Sequence, residues 1–192
     1  LTHPRTTIRN LFTAALATPN IGQFPTSAGA RVFPSRAAPM QEKDLPAIAV
    51  YARSETVNEG SQGADGFGPI SRTLTIVVEI YADENETVDD ELDAICAEVE
   101  VALRNIESSG NGVIESSRWR STEIALGTWS SGSGARTFGV ATLTYAVTYS
   151  TEPSIPAADP PISLVKGSWA PDIGIPHEPD YQILADTRPP QP

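Results

Sequence analysis

Apolar and polar residues alternate from Thr73 to Ala82, with Leu74, Ile76, Val78 and Ile80 on one side of an extended chain and Thr75, Val77, Glu79 and Tyr81 on the other. Period two predicts a strand with one face buried. Past an acidic turn, Val88, Leu92, Ile95, Cys96, Val99, Leu103 and Ile106 recur at helical spacing, so an amphipathic helix shares that strand's core. An earlier helix is predicted from Pro4, a residue suited to a first turn, through Ile8, Leu11, Phe12, Ala15 and Leu16, and Thr18-Pro19-Asn20 stops it. Between the helices lie a brief extended piece at Arg31-Val32-Phe33 and a strand from Ala47 to Glu55, with Ile48, Val50 and Ala52 on one side and Tyr51 and Arg53 on the other.

Gly110-Asn111-Gly112 ends the second helical segment, and two further strands follow. Trp119 to Trp129 extends through Ile124 and Leu126. Thr137 to Thr151 is the cleanest, with Ala141, Leu143, Tyr145, Val147 and Tyr149 alternating with Thr142, Thr144, Ala146 and Thr148. Gly132-Ser133-Gly134 joins these two strands as a hairpin turn, because a phosphate loop would need a following helix and Gly-Lys-Ser/Thr. The order predicts an α+β domain over residues 1–151, with a mixed or antiparallel sheet of four to five strands and two helices packed on one face. Thr56 to Pro69 is long for a hairpin connection and holds Gly60, Gly63, Gly66 and Gly68, the mark of a loop that contacts something or is disordered.

Residues 152–192 read differently. Ten of the chain's 17 prolines fall there and no apolar period survives, which predicts an extended arm. Ile162, Leu164, Val165, Trp169, Ile173, Ile175, Tyr181, Ile183 and Leu184 punctuate it, so it is expected to dock. Leu164, Trp169, Tyr181, Ile183 and Leu184 are its candidate anchors, Trp169 above all, since an isolated tryptophan on extended chain gains burial only by docking.

A formal charge of −11 disfavours nucleic acid and anionic membrane as partners. Cys96 is the only cysteine, which excludes an intrachain disulfide, a zinc ribbon and a C-x-x-C pair. No apolar run approaches the roughly 18 residues of a membrane span, so a soluble chain is expected.

Chemistry is hard to place. The run Asp83, Glu84, Glu86, Asp89, Asp90, Glu91 and Asp93 has the carboxylates for a metal site, and a metal-assisted hydrolase would use Asp89, Asp90 and Asp93. Against that, carboxylates suit the first turn of a helix, Thr87 can cap it, and the glycine and distal glutamate of an EF-hand loop are missing. His3 and His177 both lie in terminal segments, a poor basis for a nucleophile–base pair. Cys96 falls within the apolar stripe and reads as core. No catalytic residue, metal ligand or cofactor is assigned. Arg53 and Arg72 flank the long loop and are candidates for contacts with acidic residues of a neighbouring subunit, as are Tyr145 and Tyr149 if the mixed Thr/Ala/Tyr/Val strand turns a face to a neighbour.

The opening helix from His3-Pro4-Arg5 to Leu16, Leu45-Pro46-Ala47-Ile48-Ala49-Val50-Tyr51, Thr73 to Ala82 with the acidic helix behind it, and Ala141-Thr142-Leu143-Thr144-Tyr145-Ala146-Val147-Thr148-Tyr149 together resemble the tail-terminator proteins of long-tailed bacteriophages, the minor tail protein U type. The resemblance covers most of residues 3–151 and rests on element order and texture; the arm departs from the compact family pattern. It implies a structural protein of the virion, assembled in the host cytoplasm, that forms a ring of six copies at the head-proximal end of the tail. The implied partners are the chain itself, the major tail tube protein and the head–tail connector, with DNA passing through the lumen unbound and no cofactor or catalysis. Another head–tail joining or tail-completion protein would share the same texture. On this reading Asn58, Gln62, Asp65 and Phe67, in the long loop, are the candidates for contact with tube or connector.

Overall fold

A computed structural model describes residues 2–37, 40–58, 68–83, 87–109, 112–131, 134–152, 164–167 and 182–186. The first helix, α1 (Pro4–Ala17), starts at the predicted proline. Its N-cap is His3, whose imidazole accepts from the Arg5 backbone N–H at 3.2 Å, and Ile8, Phe12 and Leu16 are its buried stripe. Three strands and two further helices follow: β1 (Val32–Pro34), β2 (Ala47–Val57), β3 (Ile70–Asp83), α2 (Val88–Leu103) and the short α3 (Ile106–Ser109). The predicted apolar stripe is right to its end, but the helix breaks after Leu103, and Ile106 is buried from α3. Thr87 stands at the N-cap position without a capping hydrogen bond from its side chain; it is its carbonyl that accepts, from the Glu91 N–H at 3.0 Å.

The chain ends its first unit with β4 (Ser116–Ser131) and β5 (Gly134–Thr151), both longer than the predicted strands and paired in antiparallel from Ser131 opposite Gly134 back to Ser116 opposite Thr148. The five strands form one sheet in the order β1-β2-β3-β5-β4, mixed because β1 runs parallel to β2 while the rest are antiparallel. This is the expected α+β architecture.

Helices α1 and α2 cover one face of the sheet. Beneath them Ile48, Val50, Leu74, Ile76, Val78, Ile80, Ala141, Leu143, Val147 and the two tyrosines Tyr145 and Tyr149 form a single core with Phe12, Leu92, Ile95 and Val99. The phenol ring of Tyr145 meets Phe12 edge-on at 5.6 Å between centroids. Gly139 leaves room for the side chains of α2 against the sheet, since a Cβ there would run into Val88 Cγ2 and Leu92 Cδ1. Part of the opposite face is covered by the segment before β2: Met40 packs on Ala47 and Ala49, and Arg36 pairs with Asp44 at 2.7 Å while Tyr51 Oη donates to the Arg36 carbonyl at 3.0 Å.

The chain divides into two units, Leu1–Pro153 and Ser154–Pro192. In the second, β6 (Leu164–Gly167) pairs in antiparallel with β7 (Gln182–Asp186), with a register shift between Val165 and Lys166. Within the segment expected to be an extended arm there is thus a two-stranded ribbon. Backbone pairing needs no apolar period, which is why the composition did not disclose it.

Candidate functional site

Two helices, each about 10 Å across, cover about four strands spaced at 4.8 Å. The sheet has five. The strand left over is β4, and its burial differs sharply from that of its neighbour. On the helix side of β5, Leu143 and Val147 are wholly buried, whereas Trp119, Ile124 and Leu126 on the same side of β4 are 51, 43 and 64 % exposed. β4 also ends the sheet, so one of its edges has no strand partner among the described residues.

A bulge between Trp119 and Ser121 inserts Arg120 into the ladder, and the Trp119 indole N–H donates to the Ser121 carbonyl at 3.1 Å. Beside it, α2 and β4 enclose a hollow of about 220 Å³ lined by Glu100, Leu103, Arg104, Ser117, Trp119 and Tyr145. Tyr145 is only 5 % exposed, and its hydroxyl has no hydrogen-bond partner among the described residues. Burial first, then the nearby Glu100 carboxylate and Cys96, push its pKa well above the usual tyrosine range, so the group is a neutral phenol facing a polar rim. Thr122 Oγ1 on β4 is likewise buried without a partner. Arg104 lines the hollow and makes no ion pair among the described residues, while Arg118, opposite Ala146, lies on the other face of the sheet. The arrangement offers an apolar shelf, one guanidinium beside one carboxylate, and hydroxyls without partners among the described residues, which suits docking of a protein surface.

The sequence candidates are distributed otherwise. Tyr145 and Tyr149 are not on a face open to a neighbour, and that expectation is corrected: β5 points its odd-numbered residues under the helices, and Tyr149 is fully buried. The face free of helices carries Thr142, Thr144, Ala146 and Thr148 instead. Arg53 and Arg72 are both occupied within the chain. Arg53 reaches Glu79 at 2.8 Å and stacks over Tyr51, on the face away from the helices. Arg72 lies on the helix side, donating to Glu55 Oε1 at 2.5 Å and to Thr151 Oγ1 at 3.1 Å.

Asn58 closes the root of the β2–β3 connection. Its backbone N–H and side-chain amide donate to the Ser71 carbonyl and hydroxyl, and its Oδ1 accepts from Thr73 Oγ1 at 3.1 Å. Gln62, Asp65 and Phe67 lie outside the described residues, as do Trp169 and Tyr181; Leu164 falls in β6, and Ile183 and Leu184 in β7. Among the described residues no group of three or more His, Cys, Asp or Glu is placed to hold a metal ion, and Asp89, Asp90 and Asp93 are exposed along α2. No helix among them is long and apolar enough to cross a membrane.

Trp119, Ile124 and Leu126 were missed as a site. The sequence signal was present, since Ile124 and Leu126 are the large apolar residues on one side of the strand, with Glu123 and the small Ala125 on the other, but nothing local says that no helix covers them. No protein-family model matches the chain, and no curated protein matches it in sequence.

Proposed function

We propose that this chain is a ring-forming structural protein of a phage tail, of the tail-terminator kind: copies assemble at the head-proximal end of the tail tube, end its polymerisation and present a joining surface to the head connector. The observation that carries the reading is the uncovered fifth strand. A free edge next to exposed Trp119, Ile124 and Leu126 is a poor surface to leave in water, and self-association removes it. The α+β architecture with two helices on one face agrees with the expectation drawn from the sequence. A ring of chains each carrying a formal charge of −11 suits a passage through which DNA moves without adhering.

The long connection between β2 and β3 is the part proposed to meet tube or connector, and residues 152–192 are proposed to wrap a neighbour. Direct imaging of purified tails tests the assignment. A ring of this protein at the head-proximal end of the tube is expected; its absence from purified particles, or a position elsewhere along the axis, rules the assignment out.

A further inference from the structure

The Glu55 side chain is 11 % exposed and holds groups from three other elements. Arg72 of β3 donates to its Oε1 at 2.5 Å, Tyr149 of β5 donates to its Oε2 at 2.7 Å, and Arg5 in the first turn of α1 lies 3.5 Å from the same Oε2. Each cation leads on to an end of the unit. The Arg5 Nε also donates to Nδ1 of His3, the N-cap of α1, at 3.3 Å, and the Arg72 Nε donates to the hydroxyl of Thr151, the last residue of β5, at 3.1 Å. A continuous line of polar contacts thus runs from His3 through Glu55 to Thr151.

One negative charge stands between two positive ones on this line, since the charged groups acting on Glu55 are Arg72 and Arg5. Arg72 is 24 % exposed and Arg5 52 %, so the inner pair is the tighter and the outer the more screened. A proton on Glu55 removes the anion and leaves two guanidinium groups facing a neutral carboxyl, where they repel. Apolar burial limits how far the effect spreads. Ile8 on α1 and Tyr149 on β5 are wholly buried, so opening is confined to the turn before Ile8 and to the end of the ladder beyond Tyr149, where Ile70 pairs with Thr151.

We propose that Glu55 is a proton-operated clasp: ionised, it ties the start of α1 to the end of β5, and neutral, it lets both go while the rest of the unit stays folded. Burial raises the carboxyl's pKa, the bonds from Tyr149 and Arg72 outweigh it, and the net depression means that the clasp is closed at neutral pH and opens as pH falls through the folded value. The device lies within one chain and does not depend on assembly. Because β5 ends at Thr151, the clasp sets the point from which residues 152–192 start, and each residue freed adds about 3.4 Å to their reach.

The test is amide hydrogen exchange on the full chain, read residue by residue at about pH 7 and about pH 3.5, for the wild type and Glu55→Gln. Glutamine keeps the shape and still accepts from Tyr149 and Arg72, but it carries no charge. At neutral pH the variant is expected to lose protection about tenfold at Arg5–Thr7 and at Ile70 and Thr151 together, while Leu74–Ile80 keeps its own. The wild type is expected to reach that state only at the lower pH. Both chains are repeated on a His3→Asn background, where the N-cap keeps an acceptor and the imidazole, the other group on this line that gains a proton on acidification, is gone. The proposal is overturned if the variant keeps wild-type protection at both ends, if only one end loosens, or if Leu74–Ile80 loses protection to the same degree, which marks a global loss of stability. Should Glu55→Gln fail to fold, the wild-type pH series decides. Joint loosening of the two ends ahead of Leu74–Ile80 upholds the clasp; simultaneous loss everywhere, or no loss at either end, overturns it.

Discussion

The Tyr149 hydroxyl donates to Glu55 Oε2 at 2.7 Å, joining residues 94 apart in sequence across three strands. The contact depends on a register shift in β2 between Ala52 and Ser54, after which Glu55 pairs with Leu74 and faces the helix side. There it also takes Arg72 and, at 3.5 Å, Arg5 from the first turn of α1. A carboxylate thus closes the end of the core that apolar residues leave open.

Removing that carboxylate strands Arg72 in a half-buried position. Glu55→Leu is expected to destabilise the unit by about 1–3 kcal/mol, the cost of an unsatisfied charged group. Arg53→Ala, which breaks the exposed pair with Glu79, is expected to cost no more than about 1 kcal/mol. Urea unfolding of the two variants separates them, and equal losses would refute the distinction.

The same group sets an acid limb of stability. Burial pushes the Glu55 pKa up, but the hydrogen bond from Tyr149 and the Arg72 pair outweigh it, and the carboxyl ends below the ordinary glutamate range. A group whose folded pKa is depressed contributes stability above its unfolded pKa and loses that contribution as pH falls through the folded value. Stability is therefore expected to fall as pH drops below about 4.5, and less steeply in Glu55→Gln. Identical acid limbs for variant and wild type would contradict this.

Gly139 lies where β5 passes under α2. Ala there places a methyl against Val88 Cγ2 and Leu92 Cδ1, which must shift to admit it. Gly139→Ala is expected to destabilise the unit by about 1–3 kcal/mol through overpacking, read as a lower urea midpoint with an unchanged slope.

Cys96 is held as a thiol. Burial, then Asp93 and Glu100, push its pKa up to about 11. A disulfide reagent at pH 8 is expected to label it slowly in the native protein and rapidly in urea. Fast native labelling would show that the α2 stripe opens readily.

Truncation after Thr151 removes no strand or helix of the first unit. The shortened chain is expected to keep a cooperative unfolding transition while assembling less well. Loss of the transition, or assembly unchanged, would refute the corresponding half of that expectation.

Much of this fold was legible locally. The alternation of Leu74, Ile76, Val78 and Ile80 and the helical spacing of Leu92, Ile95, Cys96 and Val99 each report a one-sided burial that any partner surface would satisfy, so periodicity alone identifies the element and its inward face. Pro4 likewise placed the start of α1, because a missing N–H costs nothing in a first turn. The composition of the chain and its single cysteine constrained the chemistry without any coordinates.

Other properties waited for the tertiary structure. On β5 the alternation set Leu143, Tyr145, Val147 and Tyr149 against Thr142, Thr144 and Thr148, but both sides carry hydroxyls, and it is the packing under α1 and α2 that buries Tyr145 and Tyr149 instead of leaving them to a neighbour. The shift of register that carries Glu55 to Tyr149 belongs to the pairing of β2 with β3 and leaves no mark on β2 alone. Above all, the exposure of Trp119, Ile124 and Leu126 follows from a count made across the whole sheet, of five strands under two helices. A sequence lists the faces that need cover. Only the packed fold shows which face, in this unit, is left without it.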